Sequence, residues 1–552
     1  MGKYIFTFLR RIKFNINYMF NSVIQIPTNT QRLKFTNPKY FETILDYLEQ
    51  SDLVEENLSQ VLNRYIVFGK KINQEEFSMD IFTGFDFKLT KNKFKPAYFN
   101  LADVKVPYEA GRLQGLQKNN LIAQEQALFP EEALEINNFP SIFWNSPMDV
   151  AIRNINLILH RNFNCDIHQQ IINNSQDEVE ASISQHYLYI KNNLEDVGKV
   201  VGNHYLIELT SLLFTIATFE FNNFQDDFEH YVKQLDQVLD NQFNHDGTSF
   251  EGSSHYAAFV TEALLICKLA IEEVDASSIV LKKIEKIIKA NRLFLSTLIV
   301  DGELLQIGDN DSGRIFYFEF NEYKPLSMDW LINLIDYIYP NSTTRINYSN
   351  LPSRDTKETR FELTGYSKVA HAPMKVFSKD FELYSFKDFG IYVWRNDDEY
   401  LDIRCGQIGQ NGIGGHSHYD QLAIECFAEG QWLARDPGTG TYTDDIELRN
   451  KFKSMQYHWG PKTKIKFPKE DEFDCFKLNY MSDGVVLDFD KYNFIGYAEF
   501  NGKKIYRKIK IKDGVAHIED YSKDVELEEY TSWGENNEGV RAQFSEGYKR
   551  VT

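Results

Sequence analysis

The chain has 552 residues, 43% of them hydrophobic and 25% charged, a balance ordinary for a soluble globular protein. Its 60 Lys and Arg against 80 Asp and Glu leave a net charge of −20, which excludes the basic footprint of a general nucleic-acid binder. The 5 cysteines are scattered without a CxxC, so neither a thiolate metal site nor a disulfide framework is supported, and no apolar run approaches the roughly 20 residues that span a bilayer.

Residues 1–20 place Ile5, Phe8, Leu9, Ile12, Ile16 and Met19 at helical spacing, with Lys3, Arg10, Arg11 and Lys13 between them. Such a basic amphipathic helix fits peripheral contact with an anionic membrane, and it equally fits a helix docked on its own domain. The apolar run is too short for a secretory h-region and no A-x-A site follows, so the expected location is cytoplasmic, with membrane association through 1–20 and a periplasmic location left open.

Residues 1–100 are mixed in texture, with a helical stretch near 39–66 and extended pieces at YIVFG and FDFKL. Over 101–345 the apolar spacing is helical, as in 204–221, 230–239, 256–274 and 279–300, and predicts seven to nine helices. Residues 346–380 read as a linker. Over 381–552 the segments turn short, aromatic and β-branched, and end at Gly, Asp or Asn. Strands in sequence without intervening helices indicate an antiparallel sandwich or barrel. The predicted fold is therefore a multidomain α+β chain, an all-helical domain followed by an all-β one.

The densest polar cluster spans 406–442. His416, His418 and Asp420 are spaced by two, so on a strand they project from one face. They either face solvent or build a site, since burying three polar groups without partners is costly. His418, Asp436 and His458 make a His2Asp set of the kind zinc takes, but spacing alone does not establish a metal. A three-residue hairpin loop at Ala428-Glu429-Gly430 would put Phe427 against Gln431 and Asp436 opposite Leu422. Asp436 would then lie roughly 13 Å along the sheet from His418, and a bulge or twist would be needed to bring them together. Elsewhere, Asn203 reads as an N-cap with His204 beside it. Thr248 and Glu251 fit a capping box ahead of a helix that carries Tyr256. QIGDNDSGR (306–314) reads as a turn.

In order, GNHYLIE (202–208), DGTSFEGSSHY (246–256), GDNDSGR (308–314), GGHSHYDQL (414–422), ARDPGTGTY (434–442) and LRNKFKSMQYH (448–458) resemble the heparinase II/III-like family of polysaccharide lyases, of the heparinase III and oligoalginate lyase type. The resemblance implies an N-terminal α/α toroid, an incomplete helical barrel, over 101–345, and an antiparallel β-sandwich over 381–552. It implies β-elimination on a uronic-acid-containing glycan, with an acidic polysaccharide as partner and a place in surface polysaccharide metabolism. Asn203, with His204 assisting, matches the group that neutralises the uronate carboxylate so that the C5 proton becomes acidic. Tyr256 and His416 match the acid/base pair, and a tyrosine base would need a nearby cation to lower its pKa. His418, Asp436 and His458 match the ligands of a structural Zn2+, with Asp420 as a partner for a histidine N–H. Arg112 and Arg449 match substrate-binding arginines. A uronyl C5-epimerase and a non-catalytic glycan-binding protein on the same scaffold are the competing readings.

Overall fold

Apolar residues recurring three and four apart form helices through the first part of the chain. The computed structural model describes residues 34–36, 38–50, 65–72, 76–89, 99–114, 141–163, 173–196, 198, 200–315, 324–340, 363–464, 474–479, 481–534 and 544–551. The stretch 1–20, residues 51–64 of the expected first helix and residues 346–362 of the expected linker lie outside them. The helices are α1 (Tyr40–Gln50), α2 (Lys105–Gly111), α3 (Pro147–Phe163), α4 (Asn173–Asn192), α5 (Asn203–Thr218), α6 (Phe224–Gln242), α7 (Ser254–Val274), α8 (Val280–Leu298) and α9 (Asp329–Ile338). None among the described residues is long and apolar enough to cross a membrane. Helices come first and sheets follow, with no closed barrel among the described strands.

The chain forms two compact units. The first holds residues 1–242, 259–288 and 313–324, and the second holds 243–258, 289–312 and 325–552. In the first unit, every residue of α5 except His204 is buried, as expected of a helix apolar on nearly all sides. Two of its buried polar residues are bonded across to α3: Asn154 Nδ2 donates to Ser211 Oγ at 3.0 Å and to Thr215 Oγ1 at 2.9 Å.

In the second unit, β1 (Ser367–Ala370), β2 (Met374–Lys375), β3 (Glu382–Phe386), β4 (Ile391–Arg395), β5 (Tyr400–Arg404), β6 (Cys426–Ala428) and β7 (Gln431–Ala434) precede the short helix α10 (Ile446–Lys453). Then come β8 (Val485–Phe489), β9 (Asn493–Phe500), β10 (Lys503–Lys512) and β11 (Val515–Ser522). One sheet is the antiparallel meander β3-β4-β5-β6-β7, and the other runs β2-β11-β10-β9-β8, with β1 also on β11. β9 buries Phe494, Ala498 and Phe500 on alternate positions, the period-two signature of a half-buried strand. β4 and β5 are buried almost throughout, so that sheet is covered on both faces. Trp394, Leu401 and Ile403 from one sheet share a core with Phe494, Ile505, Ile509 and Ile518 from the other.

That core contains a charge cluster. Arg507 and Asp520 stand opposite each other in register, both 0% exposed, with two 2.7 Å bonds between guanidinium and carboxylate. His371 Nε2 meets the same carboxylate at 2.9 Å. The second terminal nitrogen of Arg507 reaches out of the sheet, donating to the carbonyls of Leu422 (2.7 Å) and Trp459 (2.8 Å).

The β6–β7 turn differs from the expected three-residue loop. Ala428 pairs with Gln431 and Phe427 with Trp432, so Glu429 and Gly430 form a two-residue turn, both at positive φ (53° and 74°). Two consecutive left-handed residues match the right-handed twist of the flanking strands. A bulge between Cys426 and Phe427 then shifts the register so that Cys426 pairs with Ala434.

Candidate functional site

Tyr256 lies in the first turn of α7, where its backbone N–H donates to Ser253 Oγ at 3.1 Å. Ser253 is therefore the N-cap, and the capping box expected of Thr248 and Glu251 does not form. Thr248 instead hydrogen-bonds Asp246. The Tyr256 ring stacks on His416 with centroids 3.8 Å apart and planes 20° from parallel. Its hydroxyl donates to Asp311 Oδ2 at 3.0 Å and lies 3.4 Å from the hydroxyl of Tyr442. Burial, then the charge of Asp311, push the Tyr256 phenol well above its ordinary pKa. The neighbouring cation that a tyrosine base would need is replaced by a carboxylate.

His416 is the half-buried member of the pair and His418 is fully buried. The strand expected to carry both does not form: 413–425 is irregular, Leu422 takes φ 64°, and regular pairing resumes only at Cys426. Left-handed Gly412 and Gly414 lead into this segment, and they break the strand that period-two spacing predicts. His416 Nδ1 lies 3.3 Å from Asp309 Oδ2 and its Nε2 lies 3.8 Å from Glu251 Oε2. A proton on Nδ1 directed at Asp309 leaves Nε2 as the acceptor-capable nitrogen.

His418, Asp436 and His458 converge, with their ligand atoms all within 4.8 Å of one another. His418 sits on the irregular 413–425 segment rather than on a paired strand, so the flat-hairpin distance does not apply. His418 Nδ1 faces His458 Nε2 at 3.4 Å, and His458 Nε2 lies 3.2 Å from Asp436 Oδ2. The outer ring nitrogens are committed elsewhere: His418 Nε2 to Asp309 Oδ1 at 2.9 Å, and His458 Nδ1 to the Ser454 carbonyl at 2.8 Å. Those acceptors place N–H groups on the outer nitrogens, so the inner ones of neutral rings are lone pairs pointing at each other. Either a proton on His458 Nε2 facing Asp436 or a cation among the three ligand atoms satisfies this arrangement, and the donor set is of the kind that zinc takes. Burial lowers the pKa of His418 and favours the neutral ring. Burial would also lower His458, but Asp436 and then Asp420 outweigh it and raise its pKa.

Asp420 does not accept from either histidine, since Asp309 and Ser454 hold those positions. Its nearest ion partner is Arg404, with Nε to Oδ2 at 3.9 Å. Asp420, Arg404, Asp402 and Glu425 line a small cavity next to Asp436 and His458. Burial raises the pKa of all three of these added carboxyls, Asp402 to about 7.

Both arginines expected at the substrate are turned inward. Arg449 is 0% exposed, and its guanidinium grips Asp309 at 2.6 Å and 3.0 Å and donates to the Cys475 carbonyl at 3.1 Å. Arg112, in the first unit, is 2% exposed and pairs with Asp149 and Glu109, each at 2.7 Å. Their carboxylate partners are what allow these cations to be buried. Asn203, also in the first unit, is the first residue of α5 rather than its N-cap, a position held by Gly202. His204 is the exposed residue of that helix and meets Glu195 at 2.8 Å.

The second unit thus brings together Tyr256, His416, His418, Asp436, His458 and Arg449. Asp309, Asp311, Glu251 and Tyr442 join them and escape the sequence reading. All four lie inside quoted motifs: Asp309 and Asp311 in GDNDSGR, Glu251 in DGTSFEGSSHY and Tyr442 in ARDPGTGTY, the first two of which read locally as a turn and a helix cap. Gly308 makes the first motif work. It sits at φ 69°, and a Cβ there would lie 2.5 Å from the His416 carbonyl, which accepts the Asp309 N–H at 2.7 Å.

Residues 379–458 match the family model described as heparinase II/III-like, C-terminal, a segment that begins just before β3 and ends on His458. No curated relative matches the sequence. Among solved structures, a crystal structure of heparinase III aligns over 85% of this chain and 73% of its own, at 14% identity and a TM-score of 0.50. The heparinase III BT4657 gene product aligns over 87% and 74% at 16% identity and a TM-score of 0.49. A heparan sulfate lyase HepC mutant from Pedobacter heparinus aligns over 86% and 73% at 14% identity and a TM-score of 0.48. Residues 379–458 thus carry the match to the heparinase II/III-like C-terminal domain, and the fold of the chain is similar to that of heparinase III.

Proposed function

We propose that the chain is a polysaccharide lyase that cleaves a uronic-acid-containing glycan by β-elimination. The stacked Tyr256–His416 pair carries this reading, because it sets a phenol hydroxyl beside an imidazole whose other nitrogen faces Asp309. Elimination needs a base for the C5 proton and an acid for the O4 leaving group. With a phenol held protonated by burial and Asp311, the division of labour is Tyr256 as acid and His416 as base. The resemblance of GNHYLIE (202–208) is the basis for assigning neutralisation of the substrate carboxylate to Asn203, with His204 assisting. The similar solved structure whose printed name is heparinase III is in keeping with an acidic polysaccharide as the substrate class.

Zinc held by His418, Asp436 and His458 completes the proposal. When bound it supplies a fixed positive charge that ties three chain segments together, rather than a reacting group. Purified wild-type protein is expected to carry about one zinc per chain by elemental analysis, and His418→Ala to lose it. Full metal content in that variant would remove the ligand assignment.

Incubation with a panel of uronic polymers in deuterated water tests the reaction. A lyase yields shorter chains with unsaturated, ultraviolet-absorbing ends. Intact chains carrying deuterium at C5 would instead identify an epimerase. Tight binding with neither change would leave a glycan-binding protein.

A further inference from the structure

Asp309 is the residue on which the two halves of the second unit's site meet. It is 0% exposed, and a charge buried that deeply must be compensated on every side. Its two carboxylate oxygens serve different histidines. Oδ1 faces His418 Nε2 at 2.9 Å, and Oδ2 faces His416 Nδ1 at 3.3 Å. Arg449 spans both oxygens, at 2.6 Å to Oδ1 and 3.0 Å to Oδ2. The main chain is pinned as well: the Asp309 N–H donates to the His416 carbonyl at 2.7 Å, and Ser253 Oγ donates to the Asp309 carbonyl at 2.6 Å.

We infer that Asp309 is a shared positioning residue that fixes the metal ligand His418 and the proton-transfer residue His416 at once, so that filling the metal site sets the geometry of the base. A carboxylate is a rigid plane, and turning it to follow one histidine moves the oxygen that the other uses. A metal on His418 Nδ1 holds that ring, its Nε2–H holds Oδ1, and Oδ2 then holds the Nδ1–H tautomer of His416 with Nε2 left to act. The same carboxylate strengthens His418 as a ligand, the usual effect of an acceptor behind a metal-bound imidazole. Arg449 has the role of locking the carboxylate plane. This inference rests on the lyase reading for the role of His416 and on the proposed zinc for that of His418.

The test uses the full chain loaded with zinc. Three readouts are taken on wild type and on Asp309→Asn: zinc affinity by competition with a chromophoric chelator, kcat and KM on a uronic polymer, and the 15N ring signals of His416. Expected for Asp309→Asn is a 10- to 100-fold loss of zinc affinity, on the order seen when such an acceptor is removed. Turnover falls while KM holds, and the Nδ1–H signature of His416 is lost. Wild-type zinc affinity, or an unchanged His416 signature, in this variant overturns the inference. Should Asp309→Asn not fold, zinc is stripped from the wild type by chelation, and the His416 ring signals must shift; signals indifferent to zinc overturn the inference equally. If no polymer gives unsaturated ends, the lyase reading fails by itself, while zinc affinity and the His416 tautomer still decide the coupling.

Discussion

Tyr256→Phe is expected to lower eliminative turnover by roughly 10²- to 10⁴-fold, the range that a positioned proton donor contributes. The substitution removes one oxygen and keeps the ring that stacks on His416 at 3.8 Å. Packing therefore survives, and what disappears is the hydroxyl bonded to Asp311 and next to Tyr442. The pH dependence follows from the direction of the shift. A general acid works only while protonated, and this phenol's pKa is raised above 10 by burial and Asp311. The tyrosine contribution should therefore be flat through neutral pH and fall only in strong alkali. The assay is the rate of ultraviolet-absorbing product across pH, with thermal unfolding measured alongside. Turnover within tenfold of wild type would remove Tyr256 from proton transfer. An alkaline rise governed by this hydroxyl would instead make it the base.

Asp520→Asn should cost about 3–5 kcal/mol of folding stability, because it leaves Arg507 charged and 0% exposed in the sandwich core without its counter-ion. Burial alone would raise the Asp520 pKa, but Arg507 and then His371 hold it down to about 2. For a carboxylate with a depressed folded pKa, the stabilisation is present above the unfolded value and is lost as pH falls through the folded one. Asp520 thus contributes about 2 kcal/mol above roughly pH 4, fading toward pH 2. Urea unfolding of the wild type should show that acid loss, and the variant should not. A variant less than about 1 kcal/mol weaker at neutral pH would contradict the account. Replacing Asp520 and Arg507 together with apolar residues of similar volume is the control, since removing both charges leaves neither one stranded.

The helices were legible because their apolar residues repeat every three or four positions over long runs, as in 203–218 and 254–274. β9 was not, because its core face includes Gly496 and Ala498, which carry little hydrophobic signal. For the site, the sequence named several side chains that the second unit gathers, but not how they are placed. The convergence of His418 with Asp436 comes with an irregular 413–425 segment, turned at left-handed Leu422, where two-residue spacing predicts a strand. Asp309 hid inside a segment whose glycines and aspartates spell a turn, and the structure shows that a turn and an ion-pair hub coincide there. The internal pairing of Arg112 and Arg449 was hidden for a different reason. Arginine beside an anionic substrate and arginine beside an internal carboxylate look alike in one dimension, and only the position of the carboxylate separates them.

The reach of Arg507 beyond its own sheet has a consequence for how the protein matures. Its donated bonds land on Leu422, just after the His416–His418 segment, and on Trp459, directly after His458. The far sheet therefore helps to hold the two histidine-bearing loops in the folded state. If the proposed zinc and lyase roles hold, a lesion in that distant layer is expected to lower metal content and turnover together, and a genetic screen would score an assembly defect as a defect of chemistry.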